Sequence, residues 1–406
     1  MTPDRHHEVL IAGAGPVGMA ALLALRRAGV DAAAVDRGTG PTDYPKARVV
    51  SARSMALLHA LGAGPAVRAA ALPGDWTERI LAARDLTGPE LLRIESSARP
   101  DRVLCTQDRL EHVLAARVRG AVHHSCTALA VDQAPDHVTL TVRTPDGGVV
   151  RPTADYVVLA DGCRGLGAGD ALPGAGIRRR MMRQVSIRVD APLRPLVAGR
   201  EAFISYLLGD RQPVALLVVD GDRDWILMTL AGRTETAADY PLPRVRELLA
   251  AVTGGPVPDV AVRGVRFSDS AHRVAQRYAV GRVVRAGDAA HELPPTGASG
   301  LNLGLADVAA LTGRLTALVR GRGGPGLLTE YETERRTAGE ATGRWARERF
   351  GTVRLLSRAH SNGDPADLDR AARELACYLD HHETGRCVCA APTTARTAAE
   401  EAISRA

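Results

Sequence analysis

Between Glu8 and Asp36 the sequence contains a complete β-turn-α-β unit. Glu8-Val9-Leu10-Ile11-Ala12 is an apolar run without alternation, the pattern of a strand buried on both faces. Gly13-Ala14-Gly15-Pro16-Val17-Gly18 follows at once, and Met19 to Ala28 is an Ala- and Leu-rich helix stopped by Gly29. Asp31 to Val35 is a second apolar strand closed by Asp36, 18 residues after Gly18. In such a unit the first glycine permits a tight turn, the second lets backbone approach a pyrophosphate, and the third lets helix and strand close up. Phosphate oxygens then meet unpaired N–H groups at the positive end of the helix dipole. The acid ending the second strand accepts ribose hydroxyls. A plain glycine-rich turn would explain the glycines, but not the strand, helix, second strand and terminal acid together. The unit reads as dinucleotide binding.

The rest of the chain divides by its periodicity. Ser51 to Leu61 and Gln107 to Arg119 read as helices, the second with Leu110, Val113, Leu114 and Val118 on one face. From Ala128 to Leu159 the period is two, with a hairpin turn at Pro145-Asp146-Gly147-Gly148 and a buried strand at Tyr156 to Ala160. Residues 184–267 read mostly as strand, with runs at 185–190, 202–208, 214–219 and 225–230 and one helix near Arg244 to Val252. This stretch looks like an antiparallel sheet inserted into the nucleotide-binding part. Val283 to Ala286 returns as a core strand, Leu301 to Val319 and Leu327 to Phe350 are long helices, and Asp364 to Leu379 is helical before a frayed end.

Composition narrows the function classes. The 406 residues carry a net charge of only +6, and aromatics are 3 %, which leaves no basic block interleaved with stacking platforms and argues against nucleic acid as partner. No run of about 18 apolar residues is present, and a strand pattern starts by Glu8, so a soluble, cytoplasmic protein without a membrane span is expected. Six scattered cysteines read as reduced thiols, the Cys387-x-Cys389 pair having no second pair to complete a zinc site. His123-His124 and His381-His382 lack metal spacing with carboxylates, so no metal site is expected. The Arg178-Arg179-Arg180 run with Arg183 reads as a solvated charged turn.

A second motif lies late in the chain. Gly287-Asp288-Ala289-Ala290-His291 follows a strand, and Pro294-Pro295-Thr296-Gly297-Ala298-Ser299-Gly300-Leu301-Asn302-Leu303-Gly304 opens a helix. The carboxylate can hold a ribityl or ribose hydroxyl, and the glycine-rich helix start offers N–H donors to an anion. With the Gly13–Gly18 fingerprint, Asp36-Arg37, the Lys46-Ala47-Arg48 to Arg53 stretch, Gln107-Asp108-Arg109-Leu110-Glu111, Asp161-Gly162 and Tyr331 to Arg336, these segments occur in the order found in the FAD-dependent aromatic hydroxylases. The chain resembles that family, whose type member is para-hydroxybenzoate hydroxylase.

The resemblance implies an α/β fold: a Rossmann-like FAD-binding domain from three chain segments (1–72, 100–178 and 268–340), an inserted, mainly antiparallel substrate sheet (73–99 and 179–267), and C-terminal helices and tail (341–406). It implies noncovalent FAD, with Gly13, Gly15 and Gly18 on the pyrophosphate, Asp36 on the adenosine ribose, Arg37 by the adenine, Arg48 and Gln107 toward the flavin, Asp161 where FAD and the nicotinamide cofactor are both sensed, and Asp288 on the ribityl-pyrophosphate. Backbone at Pro295, Gly300, Leu301 and Asn302 would face the isoalloxazine, with no side-chain nucleophile needed. NAD(P)H would reduce the flavin, O2 would give a flavin hydroperoxide, and oxygen would pass to a small electron-rich, aromatic or polyketide-like substrate. Tyr206, Trp225 and Met228 are the substrate-pocket candidates, although core packing also explains them.

The family usually follows Asp-Gly with arginine, serine and a later arginine. Here Arg164 is kept, Gly165 stands for the serine and Ala168 for the second arginine, which weakens the expected grip on NAD(P)H. A flavin oxidase or dehydrogenase, a Baeyer–Villiger or epoxidising monooxygenase, and a flavin-binding protein without redox turnover remain as alternatives. A halogenase lacks its Trp-x-Trp pair here, since Trp225 stands alone.

Overall fold

The computed structural model describes residues 5–384 apart from 78, 96–100, 170, 210–212, 296–297 and 363–364. The apolar N-terminal run forms the strand His6–Ala12, whose Val9, Leu10, Ile11 and Ala12 are fully buried. It lies between two parallel partners, Ala32–Val35 and Thr153–Leu159. Val122–His123 extends this layer on one side and Val283–Arg285 on the other, both also parallel. The hairpin strands Thr127–Gln133, Val138–Arg143 and Val149–Val150 hang from one end of Thr153–Leu159.

Against this sheet packs the helix Pro16–Arg27, which starts with proline at a position where the missing N–H costs nothing and ends on Gly29 at φ 78°. Its Met19, Leu22 and Leu25 are at most 1 % exposed. Each such side chain contributes about 1.5–3 kcal/mol by leaving water. The helix Ser299–Val319 crosses the same layer, and Gly326–Glu348 packs on it in turn.

The second sheet runs, in spatial order, 291–292, Ala261–Val274, Arg179–Asp190, Asp224–Leu230, Val214–Val218, Ile204–Leu207, Arg79–Ala83 and Glu90–Glu95. Only the Ile204–Leu207 and Arg79–Ala83 pairing is parallel. The helix Leu242–Thr253 covers one face; Trp345 and the helices Thr352–Asn362 and Pro365–Thr384 cover the other through Leu356, Ala371 and Leu375. Among the described residues no helix is long and apolar enough to cross a membrane.

Several local expectations change. The helix from Gln107 stops at Ala115, short of Arg119, and the chain turns through Gly120 at φ 76°. Arg179 and Arg180 are exposed, as expected, but belong to a strand, paired with His272 and Ala271, rather than to a turn. Arg178 makes a two-pronged ion pair with Glu292, both contacts at 2.7 Å, and Arg183 donates to two backbone carbonyls and lies over the Phe267 ring. The strand through 267 continues to Val274; the polar run Ser268-Asp269-Ser270 after Phe267, followed by the buried Arg273, hid it. Cys105, Cys126 and Cys163 are free thiols, while Cys387 and Cys389, like the tail expected to fray, lie outside the described residues.

Candidate cofactor and substrate site

The fingerprint glycines have three different steric situations. Gly13 has φ 98°, and a side chain there would lie 2.3 Å from the Ala160 carbonyl oxygen, so only glycine fits between the first strand and the Ala160–Asp161 backbone. At Gly18 a Cβ would sit 1.9 Å from the Gly13 oxygen. Around Gly15 no atom lies within 4 Å of such a Cβ. The first and third glycines are thus required by the protein itself, whereas the second leaves open space at the start of a helix that no side chain caps. That combination fits an anion placed against the helix N-terminus.

Asp36 accepts from Ala14 N and Gly38 N, each at 2.7 Å, so its carboxylate fixes the glycine loop while keeping lone pairs for a hydroxyl donor. Arg37 beside it is exposed and faces Asp161.

The distant segments converge on this loop. A Cβ on Gly304 would meet Val17 at 2.5 Å and Gly287 at 3.1 Å, and one on Gly287 would meet Val17 at 3.1 Å. The two late glycines therefore let the Gly287–His291 turn and the Ser299–Val319 helix close onto the fingerprint helix. Asp288 projects from the turn as an exposed carboxylate, 3.8 Å from where a Gly300 Cβ would stand. Desolvation by the surrounding protein nevertheless pushes its pKa up. Gly300 and Leu301 begin the helix, Pro295 is exposed just before it, and Thr296 and Gly297 lie outside the described residues. Ala298 enters the helix at φ 46°, a left-handed conformation unusual for alanine.

Beneath the turn lies a buried charged cluster that sequence reading missed. Asp307, fully buried, accepts from Gly287 N at 2.9 Å, His291 Nε2 at 2.6 Å and Arg335 Nε at 2.8 Å. Burial alone would raise its pKa, but the His291 and Arg335 contacts outweigh that and hold it below the ordinary value. His291 Nδ1 is buried and has no hydrogen-bond partner among the described residues, so the ring's polar contact is the one its Nε2 makes with Asp307. Arg285, also fully buried, clamps the carbonyls of Gly167, Leu172, Pro173 and Arg277. The signal for the cluster was Asp307 and Arg335 at inward positions of two apolar helix faces.

Asp161 explains the altered stretch after it. Its carboxylate curls over the following turn and accepts from Leu166 N at 2.5 Å and Gly167 N at 3.3 Å. A Cβ on Gly165 would lie 2.0 Å from Asp161 Cγ, so a serine here would require the Asp161 side chain to move. Burial pushes the Asp161 pKa up against those two hydrogen bonds. Burial likewise raises the Cys163 thiol, leaving it protonated and unsuited to nucleophilic work.

The remaining site candidates are brought together at the second sheet. Asn302 spends its side chain on protein: Oδ1 accepts from Ser51 N and Ser54 Oγ, both 2.8 Å, and Nδ2 donates to the Val49 and Ala298 carbonyls. Gln107 N donates to the Ala47 carbonyl at 2.7 Å, and its side-chain oxygen takes the Ala47 N–H at 3.4 Å. Both residues therefore clamp the loop that carries Arg48. Tyr206, Ala215, Met228, Ser186 and Arg266 are paired in register across four gaps between strands, so they share one face. Tyr44 stacks under Arg266 at 4.0 Å, and Arg48 faces Tyr44 and Tyr206. Trp225 points to the opposite face, 1 % exposed, its ring edge-on to Trp76 at 5.8 Å and its Nε1 donating to Asp222 O. Its place among the substrate-pocket candidates is corrected to a core position.

Known proteins share this architecture. The family model described as "FAD binding domain" matches residues 6–346. Aklavinone 12-hydroxylase of Streptomyces purpurascens is 30 % identical over 83 % of this chain and 67 % of its own length. Tetracenomycin A2 monooxygenase-dioxygenase of Streptomyces glaucescens is 32 % identical over 90 % and 70 %. The chain spans 66 % and 57 % of two further Streptomyces relatives provisionally named polyketide hydroxylases, each 32 % identical. Among solved structures, RebC soaked with chromopyrrolic acid and holding 7-carboxy-K252c superposes with a TM-score of 0.83 at 27 % identity, over 97 % of this chain and 80 % of that one. The flavin-dependent monooxygenase PieE, in complex with FAD and substrate, shares the fold with a TM-score of 0.83 at 24 % identity, over 97 % and 78 %.

Proposed function

The chain belongs to the FAD-dependent aromatic hydroxylase family, and we propose that it hydroxylates a polycyclic, electron-rich aromatic substrate of the polyketide type, using NAD(P)H and O2. The balance is ring C–H, O2, NAD(P)H and a proton going to ring C–OH, water and NAD(P)+. One observation carries this reading: Val17, Gly287 and Gly304 interlock, so that the glycine loop, Asp288 and the start of the Ser299–Val319 helix line one crevice. Bound there, FAD would accept hydride and activate oxygen.

The roles of individual residues follow from their geometry. The open space at Gly15 and the uncapped helix start would take the pyrophosphate, and Asp36 the adenosine ribose. Asp288 would accept a ribityl hydroxyl, and the helix start at Gly300–Asn302 would favour negative charge on the reduced ring. The two buried polar clusters, around Asp307 and Arg285, hold these backbone segments rigid and keep water out behind them. The Tyr206–Met228 face, closed by the C-terminal helices, would hold the substrate in a dry pocket. On this reading 1–72, 100–178 and 268–340 form the cofactor part and 73–99 with 179–267 the substrate part.

The test is direct. Purified protein should carry flavin absorption bands and release FAD on denaturation. With a hydroxylated polycyclic aromatic it should consume NAD(P)H and O2 in equal amounts and place one labelled oxygen from O2 in the product. Protein that folds but takes up no FAD sinks the reading. Substrate oxidation without oxygen incorporation points instead to an oxidase or dehydrogenase.

A further inference from the structure

Arg48 sits in an environment that an arginine rarely tolerates. Its Nη1 is buried, and among the described residues it donates to nothing and Arg48 makes no ion pair. The ionisable groups facing it are two tyrosines, Tyr206 on the second sheet and Tyr44 on its own loop. Tyr44 Oη is likewise buried, with the Ser186 hydroxyl of the second sheet beside it. A buried guanidinium left this way costs free energy unless something pairs with it.

The loop is nevertheless built to hold Arg48 in place. Gln107 clamps Ala47 from one side, and Asn302 clamps Val49 from the other. Arg188 donates to the Asp43 carbonyl at 3.0 Å while paired with Asp224, and Arg266 covers Tyr44. The residues on either side of Arg48 are thus fixed, and its charge lies within electrostatic reach of Tyr206, which shares a sheet face with Met228. Desolvation lowers its pKa to about 10, which leaves it fully charged at neutral pH.

We propose that Arg48, with the hydroxyls of Tyr44 and Tyr206, forms the anion-binding end of the substrate pocket and selects ring substrates carrying an ionised oxygen, a phenolate, enolate or carboxylate. This revises the assignment of Arg48 to the flavin, and it rests on the proposed function only for the location of the pocket. A guanidinium presents a planar fork of donors, and two flanking phenols add donors without adding a competing anion. The apolar remainder of the face, Ala215 and Met228, suits a flat ring system.

Calorimetric titration of the oxidised holoenzyme tests this without turnover. The probes are alizarin against 1,2-dimethoxyanthraquinone for the phenolate, and anthraquinone-2-carboxylate against its methyl ester for the carboxylate. Wild type should bind one or both ionised probes at least about tenfold more tightly than the blocked partner, the loss expected when a charge-assisted hydrogen bond is removed. Arg48→Gln should erase that preference while retaining FAD with affinity within about twofold of wild type, and Arg48→Lys should keep part of it. Which pair shows the gap identifies the oxygen as phenolic or carboxylic. The wild-type comparison stands even where a variant does not fold. Equal binding of ionised and blocked probes, or binding of neither, overturns the inference. So does an Arg48→Gln protein that loses FAD while its probe preference persists, which would return Arg48 to the cofactor. Failure of the proposed function would show separately, as absence of NAD(P)H-driven oxygen incorporation in a wild type that still discriminates the probes.

Discussion

Replacing Asp307 with asparagine should unsettle both the fold and the cofactor site. The carboxylate accepts three hydrogen bonds, from Gly287 N, His291 Nε2 and Arg335 Nε, and is completely buried. An amide has one acceptor oxygen, so in either orientation its NH2 opposes a donor. If it faces Gly287 and His291, it meets the backbone N–H; if it faces Arg335, it meets the guanidinium. The substitution also takes from Arg335, 6 % exposed, its 2.8 Å buried counter-charge and leaves it only the longer 3.7 Å contact with the half-exposed Glu334. Removing one partner of a buried pair costs about 3–5 kcal/mol, a large share of the roughly 5–15 kcal/mol that holds a typical protein folded. Urea unfolding of the apoprotein at pH 7, followed by tryptophan fluorescence, should report a loss of that order. The pH dependence carries a sign. The native Asp307 pKa lies below its ordinary 3.8, so its contribution is complete above about pH 4 and disappears as pH falls through the native value. Wild type and Asp307→Asn should therefore differ at neutral pH and converge in acid. A variant within about 1 kcal/mol of wild type at pH 7 would refute the claim that this pair anchors the turn.

Asp288→Ala should weaken FAD binding roughly ten- to a hundredfold while leaving apoprotein stability nearly unchanged, since the side chain is exposed and makes no hydrogen bond among the described residues that would be lost; fluorescence titration of apoprotein with FAD measures it. The glycines should separate function from folding. Gly15→Ala, whose Cβ meets nothing within 4 Å, should fold normally yet bind FAD more weakly, whereas Gly18→Ala, whose Cβ would lie 1.9 Å from the Gly13 oxygen, should be destabilised in thermal melts before any cofactor is added. Arg164→Ala should raise the KM for NAD(P)H more than it weakens FAD retention, because Arg164 is the one arginine left after Asp161-Gly162 in that stretch; stopped-flow reduction across NAD(P)H concentrations checks this, and identical saturation in both proteins would count against it.

The parts of the site legible in the sequence are those where local chemistry and tertiary role coincide. Gly13 and Gly18 could be read because backbone sterics admit nothing larger, and the structure gives each its own collision partner. Asp36 could be read from its spacing, although its carboxylate also braces the loop through Ala14 and Gly38. Side chains whose meaning depends on distant partners were opaque. Asn302 and Gln107 are recognisable as motif members, yet their work is to hold the Arg48 loop from 251 and 60 residues away. Trp225 and Tyr206 look equivalent along the chain, and only the strand register sends them to opposite faces. The Ala261–Val274 strand was missed beyond Phe267 because Ser268-Asp269-Ser270 resembles a loop, and Arg273, which looks solvated in sequence, is buried and donates to the Ala175, Asp288 and Ala289 carbonyls.

Gly165 is the most instructive departure from the family pattern. By sequence alone it looks like the loss of a serine, and the loss suggests a weakened response to the nicotinamide cofactor. In the structure the glycine is the counterpart of Asp161, whose carboxylate turns back to accept Leu166 N and Gly167 N and occupies the space a side chain at 165 would need. The two positions form one unit. The Asp161 carboxylate occupies the space a side chain at 165 would enter, the Asp161 backbone packs against Gly13, and the Arg37 charge acts on the carboxylate against the burial that raises its pKa. An isolated serine restored at 165 would therefore displace the carboxylate rather than recover the family geometry. Whatever this loop contributes to cofactor sensing must come from Arg37, Asp161 and Arg164 together, and single-residue comparison with relatives would assign the effect to the wrong position.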